Sequence, residues 1–167
     1  MRIIPALMIL AALPCNASAA EFVTGPVFDD YGPVADVEMT WPIPAGTAFR
    51  HSFDVAERAE EGAANATLVS AARFLNMHAR AGVEPARIEL AVVVHGSAVH
   101  DVSDAESASA ELVQRLVEQG VTIVVCGQSA AYRDVRKEDL LPGVQLALSA
   151  MTAHALLQQK GYTLNPF

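Results

Sequence analysis

The sequence is almost without cysteine, with two residues in 167, Cys15 and Cys126. So few thiols exclude a disulfide framework, and none of the spacings C-x-x-C, H-x-H or H-E-x-x-H that mark metal sites occurs. Positive charge is also scarce: 11 Lys and Arg stand against 19 Asp and Glu, for a net charge of -8. Nucleic-acid binding needs clustered cations, so a phosphate-backbone partner is excluded. Beyond the first twenty residues no apolar run approaches the roughly 18 needed to span a membrane. Internal repeats and low-complexity segments are missing as well. What is present is 52% hydrophobic and 18% charged residues. That composition excludes a disordered chain, and the length suits one domain with a sizeable core.

Residues 1–20 stand apart. Arg2 precedes the apolar run 3–13, and the small residues Ala17, Ser18, Ala19 and Ala20 follow. This is the order of a cleavable secretory signal peptide, which predicts a soluble mature protein, periplasmic or secreted, with no membrane partner. Leu13 and Pro14 do not make a lipobox before Cys15. Loss of Cys15 with the leader leaves Cys126 as a lone thiol in an oxidising compartment, with no internal partner.

Residues 21–48 carry Pro26, Pro33, Pro42 and Pro44 without a steady period. Phe22, Val23, Phe28, Tyr31 and Trp41 make this stretch too apolar for a free linker, so it reads as an extended arm wrapped over the domain or a neighbouring subunit. The domain proper, 49–167, begins with a strand over 49–55 that sets His51 on one face with Phe49 and Phe53. A helix is expected over 58–81, from Ala64, Leu68, Ala71, Leu75 and His78 at three- and four-residue steps, with Asn65 and Asn76 solvated or capping. A second strand, 87–94, delivers His95 and Gly96. A helix over 105–119 follows, capped by Ser103 or Asp104 and turning Leu112, Val113, Leu116 and Val117 inward. The run V-T-I-V-V-C from 121 reads as a strand buried on both faces, ending at Cys126 and Gly127. A polar stretch, 128–139, holds a short helix and a loop. A strand over 144–148, a helix over 152–160 and a brief strand over 162–164 complete the chain, with Ser149 at a third strand end.

Strand, helix and strand over 88–126 demand a right-handed crossover and parallel pairing, which puts His95 and Cys126 on one edge of the sheet. In open α/β sheets that edge binds ligands.

Three motifs now align with a known family: V-V-V-H-G-S-A-V at 92–99, G-V-T-I-V-V-C-G-Q-S at 120–129, and L-L-Q-Q-K-G-Y-T-L-N-P at 156–166. In this order they resemble the DsrE/DsrF-like family, in particular its secreted single-domain members, over 49–167. The resemblance implies a three-layer α/β/α fold around a mainly parallel sheet of about five strands, assembled as trimers or hexamers. It also implies a strand-end cysteine, here Cys126, that accepts sulfane sulfur as a persulfide and exchanges it with donor and acceptor proteins. Gln128 stands where the family commonly has asparagine. No cofactor or metal is called for.

A sulfur carrier needs a thiolate, and free cysteine ionises at about 8.5, so donors or a cation must favour the anion. His95 is the expected tuning residue, Cys126 is expected to be solvent-reachable, and Gly96, Gly127, Gln128 and Ser149 are candidate binding positions on the same edge. Backbone N–H groups of Gly127 and Gln128 add to the stabilisation if they point at the sulfur. Three other readings stand beside this one. A Cys-His hydrolase built on Cys126 and His95 lacks an orienting carboxylate that the spacing names. A metal site from Cys126, His95 and His100 has no supporting spacing. The rival with most weight is a non-catalytic oligomeric binding module whose cysteine is packed or redox-sensitive. The expected function is binding or carrying sulfane sulfur, at most a sulfurtransferase-like activity.

Overall fold

The computed structural model describes residues 20–165. The leader, including Cys15, lies outside the described residues. Five strands form one sheet: β1 (Phe49–Val55), β2 (Ile88–Val94), β3 (Thr122–Cys126), β4 (Gln145–Ala147) and β5 (Thr163–Leu164), in the order β4-β3-β2-β1-β5, with every pairing parallel. The four main helices are α1 (Ala66–Arg80), α2 (Ala110–Glu118), α3 (Gly127–Tyr132) and α4 (Ala150–Gln159). β1 to β4 step one way across the sheet, and the last crossover returns past β1. Right-handed connections then place α1 and α2 on one face and α4 on the other. The three-layer α/β/α sandwich anticipated above is the fold.

The two faces are covered unequally. Under α1 and α2, Leu68, Leu75, Leu112, Val113 and Leu116 meet Leu90, Val92, Ile123 and Val125, nearly all without solvent contact. Each such side chain contributes about 1.5–3 kcal/mol by leaving water. On the opposite face the buried cluster is small, Ala91 and Val93 against Ala153 and Leu157. β3 is therefore fully buried on one face only, with Thr122 and Val124 half-covered on the other.

Several expected element boundaries move, for physical reasons. α1 begins at Ala66 rather than 58, because Asn65 caps it by accepting from the Thr67 N–H at 3.0 Å. The residues before it are held as a loop, with the Ala59 N–H donating to buried Asp101 at 2.9 Å. α2 starts at Ala110 after Ser109, not after Ser103 or Asp104. Ser109 is fully buried and its hydroxyl accepts from the Asn65 N–H at 2.9 Å, while residues 96–102 take up tight 3-10 turns. α3 is the short helix expected within 128–139, and it opens directly at the end of β3, at Gly127.

The arm lies on its own domain. Val23 and Val34 form an antiparallel bridge, and Phe28 is fully buried. Asn76, expected to be solvated or capping, is instead fully buried in α1 and clamps the arm. Its Oδ1 accepts from the N–H groups of Val27 and Phe28, and its Nδ2 donates to the carbonyls of Phe28, Tyr31 and Gly32.

Candidate functional site

β2 and β3 run parallel with Val94 opposite Val125, and β3 and β4 with Cys126 opposite Ala147, so three strand ends share one edge. Both strand-end glycines are there for space. A Cβ on Gly96, which sits at φ +56°, would lie 2.5 Å from the Ala56 carbonyl oxygen. One on Gly127 would lie 2.6 Å from that of Ala147. Backbone at that range does not yield, so no side chain fits at either position.

Cys126 is a free thiol at the N-cap of α3, with 6% of its surface exposed. The expectation of an open, solvent-reachable thiol is corrected to that of a narrow window. Its pKa nevertheless lies below the ordinary thiol value. Burial pushes it up, and hydrogen bonds from the Ser129 hydroxyl and from the N–H groups of Ser129, Ala150 and Gln128 outweigh that effect. Those N–H groups belong to the first turns of α3 and α4, where intrahelical partners are lacking and the dipole favours an anion. Ser149 sets the second of these turns by capping α4, accepting from the Thr152 N–H at 3.1 Å. Gln128 reaches across to the Leu148 carbonyl at 3.3 Å. Ser129 also accepts from the Gly96 N–H at 3.0 Å, which ties the β2 end to the thiol.

His95 is not among the groups that lower the thiol. Its Nε2 is 3.0 Å from Asp54 Oδ2, at the end of β1, and His154 of α4 places its own Nε2 2.7 Å from Asp54 Oδ1. Asp54 ionises below the usual carboxylate range: burial pushes it up, and the hydrogen bonds from His95 and His154 override that. A cleft of about 480 Å³ flanks Asp54 and is lined by Ala56, Arg58, Ala63 and Asn65 among others.

The structure thus brings Cys126, His95, Gly96, Gly127, Gln128 and Ser149 to one edge. His100 lies apart in the 3-10 turns after β2, and among the described residues no group of three His, Cys, Asp or Glu side chains is placed to hold a metal ion. Sequence reading missed Ser129, Asp54, His154 and the Ala150 N–H. Ser129 was legible as the third residue of a helix opening at Gly127. Asp54 and His154 are 100 residues apart and meet only through the sheet.

The model of the DsrE/DsrF-like family matches residues 49–166. Among solved structures, a protein of unknown function from Methanobacterium thermoautotrophicum, MTH1491, superimposes with TM-score 0.57 at 21% identity, over 70% of this chain and 97% of that one. The ychN protein from E. coli does so with TM-score 0.53 at 14% identity, over 70% and 100%. Both likenesses are of fold. No curated protein matches the chain.

Proposed function

The chain belongs to the DsrE/DsrF-like family, and from that membership and the donors gathered on Cys126 we propose that it carries sulfane sulfur as a persulfide on this cysteine. The observation that supports the reading most is the set of donors converging on the thiol. Four hydrogen bonds favour the anion at a sulfur that burial alone would keep protonated. A narrow window suits a small sulfur species or the tip of a donor thiol better than a large substrate. The test is intact mass after incubation with a sulfane-sulfur donor: one added sulfur on the wild type and none on Cys126→Ser. No added sulfur on the wild type overturns the reading.

Burial of Cys126 favours one rival, a non-catalytic oligomeric binding module with a packed or redox-sensitive thiol. That reading expects slow alkylation and no added mass.

Two further features belong to the proposal. The leader exports the protein, and analysis of the mature N-terminus should find it at Ala20 or Glu21, whereas a retained Met1 in the native host removes the assignment. The domain self-associates, as trimers or hexamers. The arm's Phe28 and Val34 are covered by its own domain, so they do not drive assembly. Exposed Leu148 just after β4, Met151 and Leu156 of α4, and Phe22, Val37 and Trp41 of the arm supply apolar surface for it. Light scattering at micromolar concentration reads this directly, and a monomer rules it out.

A further inference from the structure

The edge that carries Cys126 also carries a carboxylate held between two histidines. Val94 lies opposite Val125, so His95 and Cys126 are the next residues on adjacent strands, whose spacing is roughly 4.8 Å. His95 at φ -145°, ψ -170° and Cys126 at φ -69°, ψ 113° both continue the extended backbone. Strand alternation therefore gives them the face of Val93 and Val124, the α4 face. Asp54, opposite Val93, shares it. A carboxylate only accepts, so each neutral ring donates Nε2–H to it and keeps its lone pair at Nδ1.

The two rings then differ. Nδ1 of His154 is buried with no partner, and that ring can pass a proton nowhere except to Asp54. The His95 side chain is 31% exposed, at the end of the strand next to the one that ends in Cys126.

We propose that Asp54 is a positioning residue for sulfur transfer at Cys126. Held by His154 on one oxygen, it fixes His95 with Nδ1 free to exchange protons with the thiols that bring and collect sulfur. The proposal rests on the carrier reading above and deepens it. In loading, the Cys126 thiolate attacks the outer sulfur of a donor persulfide, R–S–SH. The new S–S bond forms as the old one breaks, and the old bond's electron pair leaves on R–S⁻. Protonated His95 gives that leaving group its proton, so the products are Cys126–S–SH, R–SH and neutral His95. In unloading, neutral His95 takes the proton of an acceptor thiol. The acceptor thiolate then attacks the outer sulfur, and Cys126 returns as thiolate with His95 protonated. No oxidant or reductant is consumed over the cycle. Ser129 and the helix N–H groups hold the thiolate in this scheme, while His95 serves the other thiol.

General acid help matters most when the leaving thiolate is strongly basic. The experiment therefore compares two donors, an alkyl persulfide, whose thiol leaves reluctantly, and an aryl persulfide, whose thiol leaves readily, and follows sulfur mass on the full chain with time. Asp54→Asn should slow loading from the alkyl donor by roughly 100-fold, in the range of positioned acid catalysis, and from the aryl donor by less than about 3-fold. Ring nitrogen NMR should show His95 protonated at Nε2 in the wild type and a tautomer mixture in Asp54→Asn. Equal slowing with both donors, no slowing, or a wild-type ring protonated at Nδ1 overturns the proposal. If Asp54→Asn does not fold, His95→Gln takes its place, with the same alkyl-selective loss expected and the same outcomes against it. A wild type that takes sulfur from neither donor refutes the carrier reading itself. A wild type that loads normally while the variants show no donor selectivity refutes this proposal alone.

Discussion

The N–H of Gly96 donates to the hydroxyl of Ser129 across 3.0 Å, and this one bond joins the end of β2 to the first turn of α3 at the reactive thiol. With its oxygen engaged by Gly96, the Ser129 hydroxyl turns its own proton toward Cys126. The bond exists because Gly96 occupies a left-handed conformation against the Ala56 carbonyl. Backbone geometry at one strand end thereby sets the chemistry at the next.

Ser129→Ala should raise the Cys126 pKa. A hydrogen bond to a charged group contributes about 1.5–3 kcal/mol, or roughly 1–2 pH units. Alkylation rate against pH should titrate below the free-thiol value in the wild type and move upward in the variant. A small reagent should also react faster than a bulky one, since only 6% of Cys126 is exposed.

Gly96→Ala should destabilise the fold by roughly 1–3 kcal/mol, because an alanine there combines positive φ with a backbone clash. It should also displace the N–H from Ser129 and raise the thiol midpoint, though by less than Ser129→Ala. Urea unfolding and the same alkylation titration measure the two effects.

Asn76→Leu removes the clamp on the arm and strands the buried polar groups that it serves. The loss should be about 3 kcal/mol or more. Proteolysis should then cut within residues 23–34 well before the domain unfolds.

Stability should decline as pH falls from neutrality, partly through His51 and His78. Burial holds both below the ordinary histidine value, against hydrogen bonds that favour the charged ring. Below about pH 6.5 the unfolded chain binds protons that the folded rings exclude, so their stabilisation is complete above that pH and is lost on acidification. His78→Gln, which leaves no ring to charge between Phe49 and Phe74, should flatten the dependence in thermal melts from pH 7 to 5.

What the sequence determined by itself was the part governed by local pattern. Apolar runs of β-branched residues named the strands, and glycines after 94 and 126 marked where they end. The crossover rule then required parallel pairing over 88–126, which put His95, Gly96, Cys126 and Gly127 on one edge, with Ser149 at a third strand end. Only the tertiary structure decided which polar groups meet there. The Ala-rich stretch before residue 66 has a helical period, yet Asp101, 42 residues from Ala59, takes its backbone as a loop. Asn76 looks like a surface amide and is buried, because the arm supplies five partners from some 45 residues upstream. His95 was visible as a candidate, but its carboxylate was not, since Asp54 meets it from the neighbouring strand β1 and is held in turn by His154 of α4, 100 residues further on. Periodicity encodes which face a residue occupies, whereas hydrogen bonds between distant residues depend on how the layers stack.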